Sequence, residues 1–286
     1  MHTPVLLEES LNWLNLRPDG VYVDATLGLG GHTAAIAARL ANGIVIGCDR
    51  DPDSIELARA NTALWAERIR YCQAKFSELS STLPALGYTQ VDGILADLGV
   101  SRVQLTQPER GFSLMADGPL DMRMDRSQPV TAADYVNHMA EKALSDLIFQ
   151  LGEERRSRRI ARAIVRARPI RSTLHLAEVV ESAVPRTGRI HPATRVFLAL
   201  RRAVNQEQEE LEALLQAAPA LVKPGGRIVV ISFMSIEDRT VKQAFQALAR
   251  QGRARILTKH VITPSEGEVQ QNPASRSAKL RALEMT

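Results

Sequence analysis

Residues 21–36 read VYVDATLGLGGHTAAI, which is the most informative segment of the chain for its fold. Its first three residues have the apolar pattern of a buried strand, which ends in Asp24. The turn that follows contains Gly28, Gly30 and Gly31, and an apolar helical pattern begins near Thr33. Glycines let the backbone approach a ligand closely, and a helix N-terminus offers unpaired N–H groups. The stretch therefore predicts a strand, turn and helix that bind a ligand at the turn.

The same alternation of strand and helix continues through the first hundred residues. Predicted strands cover 44–48, 69–72 and 93–96, and predicted helices cover 33–41, 53–66 and 77–86. Continuous apolar strands that alternate with helices are typical of a parallel sheet covered on both faces. The pattern resumes with a strand at 227–233, and two further strands near 254–262 and 278–284 would complete a seven-stranded sheet.

A segment of different character separates these two sheet-forming regions. Residues 101–129 combine glycine, proline and charge without a sustained period, which predicts a loop, whereas residues 131–203 are helical in pattern. An inserted all-helical domain is the economical interpretation. We predict a sheet domain over 1–107 and 205–286 and an inserted substrate-recognition domain over 108–204.

The net charge of +4 is unevenly distributed along the chain. Residues 153–202 hold thirteen arginines and four glutamates, a local charge of +9, so the remainder of the chain carries −5. Guanidinium groups bind phosphate oxygens bidentately, which favours a nucleic-acid backbone as the partner; a solvated helix face is the alternative. Five of these arginines share one side of a helical projection and form the predicted RNA-binding surface, here called the arginine stripe: Arg155, Arg158, Arg159, Arg162 and Arg166.

The glycine-rich turn favours S-adenosylmethionine over a dinucleotide. Its GLGG spacing lacks the third glycine of the GxGxxG pyrophosphate fingerprint. Asp24, just before the turn, would repel a pyrophosphate but tolerates the cationic sulfonium and ammonium groups of S-adenosylmethionine. We predict S-adenosylmethionine as the cofactor, and we expect a branched side chain at Gly31 to occupy the space of the ligand.

Residues at the ends of the following strands extend this predicted site. Asp49 ends the second strand, where a carboxylate accepts hydrogen bonds from ribose hydroxyls or caps the next helix. Phe76 follows the third strand and is suited either to stacking on adenine or to the core. Asp97 ends the fourth strand at the carboxyl edge of the sheet, where open α/β sheets bind their ligands. Their joint occurrence at successive strand ends indicates a binding site.

Longer motifs extend nearly from end to end. They are HTPVLLEE at 2–9, DATLGLGGH at 24–32, DRDP at 49–52, DLGVS at 97–101, ERGFSLMADGPLDMRMD at 109–125, GEERRSRRIARAIV at 152–165, HPATRVFLALRRAVN at 191–205, ISFMSIEDR at 231–239 and NPASRSAKLR at 272–281. Together they show that the sequence resembles a known family, the bacterial 16S ribosomal RNA cytosine-N4-methyltransferases of the MraW type.

The resemblance implies a Rossmann-like class I methyltransferase sheet with an inserted helical domain. It also implies methylation of a cytosine exocyclic amine in the decoding region of 16S ribosomal RNA. The cofactor contacts that it implies are those of Gly30, Gly31, His32, Asp49, Phe76, Asp97 and Gln104. The sequence departs from the family pattern at Met234, where histidine is usual, at Arg102, where serine is usual, and at Ala274, where arginine is usual. We interpret Met234 as evidence that this position does not supply the catalytic base.

The cytosine amine is a poor nucleophile because its lone pair is delocalised into the ring. An acceptor must therefore orient the amine and receive a proton. Asp97 is the best-placed catalytic candidate, with Ser101 as a helper, although Asp97 is equally suited to holding the cofactor. Residues 111–125 have the composition of an ordered active-site loop or of a structural turn.

Two further patterns lie outside this predicted site. Ser235 and Asp238 have the spacing of a capping box at a helix start. Cys48 and Cys72 lie outside any paired metal-ligand spacing, so we expect two core residues and no metal site.

The last set of expectations concerns location, partners and competing functions. An apolar run long enough to span a bilayer is lacking, which favours a cytoplasmic protein without a membrane partner. The expected partner is 16S ribosomal RNA in the assembled 30S subunit, and a homodimer remains open. Two other functions remain open: an amino-methyltransferase acting on DNA or protein, and a non-catalytic ribosome-assembly factor that binds the cofactor.

Overall fold

The computed structural model describes residues 4–186, 188 and 190–286. The chain separates into two compact units. The sheet unit is formed by the residues up to Gly99 together with 208–286, and the inserted unit is formed by 100–207. The insertion predicted from the sequence, 108–204, falls within the inserted unit.

Seven strands and thirteen α-helices make up the regular structure of the described residues. The strands are β1 Val21–Asp24, β2 Ile44–Asp49, β3 Ile69–Gln73, β4 Val91–Asp97, β5 Val222–Ser232, β6 Ala254–Ile256 and β7 Lys279–Met285. The helices are α1 Leu7–Leu14, α2 Gly31–Arg39, α3 Pro52–Asn61, α4 Leu79–Ala85, α5 Arg102–Thr106, α6 Ala132–His138, α7 Glu141–Gly152, α8 Ser157–Arg166, α9 Thr173–Ala183, α10 Thr194–Asn205, α11 Glu207–Leu221, α12 Ser235–Arg250 and α13 Glu266–Gln271. Within the described part of the chain, none of these helices has the length and apolar character required to cross a membrane.

The sheet has the strand order β3-β2-β1-β4-β5-β7-β6. All paired strands are parallel except β7, which runs antiparallel to both of its neighbours. The predicted seven-stranded Rossmann-like sheet is therefore confirmed. The chain builds outward from β1 in one direction and then returns to place β4 on its other side. Such a reversal opens a crevice at the carboxyl ends of the central strands, where α/β proteins bind ligands.

Alternate residues of the central strands bury opposite faces of the sheet, as the period of a strand requires. Val23 and Ile46 belong to one apolar cluster, which also contains residues of α11 and α12. Their neighbours Tyr22 and Val45 belong to a second cluster, which contains residues of α1 and α2. Because both faces are covered, the strands read as continuous apolar runs, as the sequence predicted.

The structure corrects the predictions at the ends of several elements. The predicted loop 101–129 contains α5, because Ser101 and Gln104 form a capping box that starts a helix. The predicted strand 254–262 is ordered as strand only over β6, with an isolated bridge between Ile262 and Leu280 beyond it. The segment between β6 and β7 contains α13, which is capped by Ser265 and was not predicted from the sequence.

The inserted unit has its own apolar core and is helical from α6 to α10, as predicted. Helix α8 is strongly amphipathic. Its apolar residues Ile160, Ala161 and Ile164 are fully buried in this core, so its arginines occupy the opposite, solvent-facing side.

The two cysteines are neighbours across the sheet. Cys48 on β2 and Cys72 on β3 are register partners, and their sulfur atoms lie 2.7 Å apart. Cys48 is buried, as predicted, whereas Cys72 is only partly buried against the same apolar cluster.

Candidate functional site

Asp24, at the end of β1, ties the strand to the start of α2. Its side chain is fully buried, and one carboxylate oxygen accepts a hydrogen bond of 2.7 Å from the Thr33 hydroxyl. The other oxygen accepts from the backbone N–H of Thr26 at 3.2 Å. The sequence indicated the charge of Asp24 but not these contacts. The carboxylate therefore fixes the glycine-rich turn and also places negative charge beneath it.

The turn itself requires glycine at two positions for different reasons. Gly30 has φ of +84°, and a Cβ there would lie 2.6 Å from Thr62 Cγ2. A Cβ on Gly31 would lie 2.5 Å from Pro4 Cγ. The expectation that a side chain at Gly31 fills the ligand space stays a prediction, and the structure adds a second obstacle to such a side chain. The Cβ of such a side chain would meet the N-terminal segment.

His32 follows the turn and is buried. Its Nε2 lies 3.1 Å from the carbonyl oxygen of Val5, and its Nδ1 lies 3.8 Å from Asp97 Oδ2. The imidazole therefore connects the N-terminal segment to the end of β4. Its predicted role as a cofactor contact stays a proposal.

Asp49, at the end of β2, reaches back to the same turn. One carboxylate oxygen accepts from Gly28 N–H at 2.8 Å, and the other accepts from Asp51 N–H at 2.9 Å. Burial raises the pKa of Asp49 to about 6 against these two lowering hydrogen bonds, and the charges of Asp51 and Asp24 raise the pKa further. Each oxygen keeps a second lone pair, which leaves Asp49 able to accept hydrogen bonds from ribose hydroxyls.

The raised pKa of Asp49 predicts a pH dependence of stability. Because the folded state binds this proton more tightly than the unfolded state, whose carboxyl titrates near 3.8, the contribution of Asp49 is complete below about pH 3 and is lost by about pH 7. The loss is about 3 kcal/mol for a shift of this size. We expect the free energy of unfolding of Asp49→Asn, relative to the wild type, to increase by that amount over this range in urea titrations without cofactor. A constant difference would contradict the assignment.

Asp97, at the end of β4, has the most unusual environment. Its backbone N–H donates to the Thr26 hydroxyl at 2.6 Å, which holds it against the end of β1. Its Oδ1 is buried and has no hydrogen-bond partner among the described residues. Burial, and next the negative charge of Asp24, raise the pKa of Asp97 well above its usual value. Such a carboxylate oxygen has unused acceptor capacity, which a hydrogen-bond donor or cation placed against it would satisfy.

Three carboxylates therefore meet at the carboxyl edge of the sheet, from β1, β2 and β4. The charge of Asp24 contributes to the raised pKa of both Asp49 and Asp97. A bound cation would relieve this repulsion, whereas an anion such as pyrophosphate would increase it. The three carboxylates therefore suit the positively charged sulfonium and ammonium groups of S-adenosylmethionine.

Phe76 lies on a short 3₁₀ turn, Phe76–Glu78, that follows β3. Its ring is partly buried against the apolar cluster on that face of the sheet. The next residue, Ser77, donates through its backbone N–H and its hydroxyl to the carboxylate of Glu210, both at 3.0 Å. Glu210 was not predicted from the sequence, since 133 residues separate it from Ser77.

Ser101 and Gln104 belong to the inserted unit. The Ser101 hydroxyl accepts from Gln104 N–H at 3.3 Å, and the Gln104 side chain accepts from Ser101 N–H at 3.0 Å. These contacts start α5. The predicted catalytic role of Ser101 and cofactor role of Gln104 stay proposals.

Residues 111–125 form a loop that is held by close backbone packing, an ion pair and a hydrogen bond to a neighbouring helix. Gly111 has φ of +72°, and a Cβ there would lie 2.1 Å from the Pro119 carbonyl oxygen. Arg123 pairs with Asp121 at 2.7 Å, and Thr173 at the start of α9 binds the loop through Gly118 N–H at 3.0 Å. The loop is ordered by these contacts, while the side chain of Met115 stays 83% exposed.

The predicted capping pair Ser235 and Asp238 is wrong. Helix α12 already includes Ser235, and its N-terminus is capped by Glu237, whose buried carboxylate accepts from the N–H groups of Phe233 and Met234. Asp238 instead forms two hydrogen bonds with Arg281 on β7, at 2.7 and 3.1 Å. Met234 takes part through its backbone N–H, which any residue except proline supplies.

The arginine stripe is exposed along its whole length. Within the described residues, Arg162 pairs with Glu141 at 3.4 Å, whereas the other four stripe arginines lie farther than 4 Å from any carboxylate oxygen. Other arginines of the basic segment serve the fold: Arg202 is buried and donates to the Leu151 carbonyl, and Arg201 pairs with Glu207. Arg189 lies outside the described residues.

Comparison with known proteins shows the family of this chain. The profile of the MraW methylase family matches residues 1–286. The chain belongs to this family. The protein named ribosomal RNA small subunit methyltransferase H in Solibacter usitatus is 63% identical over 285 residues, covering 100% of both chains. Proteins of the same name are 51% identical in Acidobacterium capsulatum, covering 99% of this chain and 98% of the relative, and 50% identical in Syntrophobacter fumaroxidans, covering 99% and 96%.

Membership of the MraW methylase family confirms the resemblance drawn from the sequence motifs. S-adenosylmethionine is the methyl donor, as predicted.

Proposed function

We propose that this MraW-family protein methylates the N4 amine of a cytosine in the decoding region of small-subunit ribosomal RNA, acting in the cytoplasm on the 30S subunit. The names and high identity of its relatives support ribosomal RNA of the small subunit as the substrate. The observation that carries the chemistry is the buried Oδ1 of Asp97, which has no partner among the described residues. Methylation of an exocyclic amine requires an acceptor of this kind.

The residues of the turn and strand ends are proposed to bind the cofactor. S-adenosylmethionine supplies a methyl group on a positively charged sulfur. Asp49 would accept hydrogen bonds from the ribose, Phe76 would stack on the adenine, and the backbone of Gly30 and Gly31 would contact the cofactor. His32 holds the N-terminal segment against this turn through Val5.

Asp97 is proposed to orient the amine and accept its proton. The amine lone pair is delocalised into the cytosine ring, and a hydrogen bond from N4–H to a carboxylate increases electron density on nitrogen. The raised pKa of Asp97 makes this carboxylate a stronger proton acceptor than an ordinary aspartate, provided that it is ionised. Nearby positive charge favours the ionised form. Ser101 is proposed as a second acceptor, and Gln104 as a cofactor contact.

Labelled methyl transfer tests this function. Purified protein and methyl-labelled S-adenosylmethionine are incubated with undermethylated 30S subunits, free 16S RNA, duplex DNA and total protein in parallel, and the modified base is identified by nuclease digestion and mass spectrometry. We expect N4-methylcytosine in the decoding region and the highest rate on 30S subunits. Label in DNA or protein, or cofactor binding without transfer to any substrate, would contradict the proposal.

The arginine stripe is proposed to contact the RNA backbone. Arg158→Gln with Arg159→Gln should weaken binding to 30S subunits and lower the slope of log affinity against log salt by about 1.4, because two fewer counterion-releasing contacts remain. The matched control, Arg250→Gln with Arg253→Gln, removes two exposed arginines of the sheet unit. Filter binding between 50 and 300 mM salt measures both. Equal slopes in the two double variants would mean that the arginines of the stripe are solvated and do not contact the RNA backbone.

A further inference from the structure

Glu210 is a buried carboxylate in the first turns of α11. Its side chain is only 8% exposed, and both of its oxygens face Ser77, with Oε1 accepting from the hydroxyl and Oε2 from the backbone N–H. Burying a carboxylate is costly unless its oxygens are hydrogen-bonded, and the positive end of the helix dipole adds further stabilisation. An arrangement with both oxygens on one residue fixes the position of that residue.

The residue that is fixed belongs to the short 3₁₀ turn Phe76–Glu78. Within this turn, Glu78 accepts a hydrogen bond from Lys75 N–H at 2.8 Å, which closes the turn locally. Glu210 is the contact that attaches the turn to a distant helix. Phe76 has no polar group on its side chain, so the orientation of its ring depends on packing and on the backbone of the turn.

We propose that Glu210 is a positioning residue for cofactor binding, which holds the Phe76 ring in the orientation that accepts the adenine face. The inference rests on the proposed role of Phe76. Without Glu210, the N–H and hydroxyl of Ser77 lose their acceptor, and the turn moves to recover hydrogen bonds from water. The ring then occupies several orientations, and part of the binding energy is spent on ordering it.

A double-mutant cycle tests this coupling. Dissociation constants for S-adenosylhomocysteine are measured by calorimetry for wild type, Glu210→Ala, Phe76→Ala and the double variant. We expect Glu210→Ala to weaken binding about tenfold, and Phe76→Ala to weaken it by about tenfold or more, as for loss of an aromatic platform under a base. The double variant should bind no more weakly than Phe76→Ala alone, because Glu210 acts through the ring.

Two further variants and a local probe separate positioning from general stability. Glu210→Gln keeps an acceptor for the Ser77 N–H and should retain most of the affinity, whereas Glu209→Ala, at an exposed carboxylate of the same helix, should leave affinity unchanged. In ligand-free Glu210→Ala, amide hydrogen exchange should accelerate at residues 76–79 and stay unchanged in β1 and β4.

The possible results distinguish this inference from the proposed function. If Phe76→Ala leaves affinity unchanged, the role of Phe76 in the proposed site is wrong. If Phe76→Ala weakens binding but the loss caused by Glu210→Ala is the same with and without the ring, then Glu210 acts on the fold in general and the inference is overturned. An unchanged affinity in Glu210→Ala overturns it as well.

Discussion

Asp97→Asn is expected to lower the rate of methyl transfer at saturating cofactor and RNA by about 100-fold to 10,000-fold, the usual contribution of a positioned proton acceptor. Asparagine keeps one acceptor oxygen of similar size but cannot take up a proton. The environment of Asp97 is otherwise preserved, since its contact to Thr26 is made by the backbone N–H. Single-turnover transfer to 30S subunits measures this effect directly.

The pH dependence of the same reaction tests whether Asp97 is the proton acceptor. The acceptor is the ionised form, so the wild-type rate should rise with pH through the raised pKa of Asp97. Asp97→Asn should lack this rise, and Asp19→Asn, at an exposed carboxylate of the sheet unit, should behave as wild type. If Asp97→Asn weakens cofactor binding while the rate at saturation is unchanged, Asp97 anchors the cofactor and another group receives the proton.

Gly31→Ala is expected to weaken S-adenosylmethionine binding by about tenfold to a hundredfold, the equivalent of 1–3 kcal/mol of overpacking. The new Cβ would lie 2.5 Å from Pro4 Cγ, and a proline ring cannot rotate away. The N-terminal segment must therefore move. It is held by His32 at the Val5 carbonyl and by Glu268, which accepts from Leu6 N–H at 2.8 Å. Its displacement disturbs His32 next to the cofactor turn.

A second substitution identifies the cause of that loss. Pro4→Ala removes the ring atom that Gly31→Ala would meet, while the remaining Pro4 Cβ position is 3.6 Å away, an ordinary contact distance. Pro4→Ala with Gly31→Ala should therefore recover most of the affinity in calorimetry. If the pair binds as weakly as Gly31→Ala alone, the alanine methyl group occupies the space of the ligand, which is the expectation drawn from the sequence.

The sheet, the turn and the strand-end acids were predictable because each is encoded locally. A strand shows as an apolar run, a turn as closely spaced glycines, and the carboxyl ends of parallel strands share one edge. Asp24, Asp49 and Asp97 could therefore be placed together from the sequence alone. The effect of Asp24 on the pKa of Asp49 and of Asp97 could not be predicted, because it depends on burial and distance.

The contacts that were missed join residues far apart in the chain. Glu210 with Ser77, Arg281 with Asp238 and Leu6 with Glu268 are separated by 133, 43 and 262 positions. The packing of distant elements against one another determines these contacts, and local sequence patterns do not show it. The capping pair expected at Ser235 and Asp238 failed for the same reason, since β7 supplies a stronger partner for Asp238.

The position of β5 between β4 and β7 has a consequence for how the protein is made. During translation, β4 is synthesised before the inserted unit, and its partner β5 emerges more than a hundred residues later. Residues 100–207 form a continuous segment with their own core, so they can fold while one edge of β4 is still unpaired. An open apolar strand edge is a site of aggregation. Slow synthesis of the inserted unit therefore prolongs the time for which the edge of β4 is exposed. Refolding of the full-length chain from denaturant differs, because β5 is present from the start.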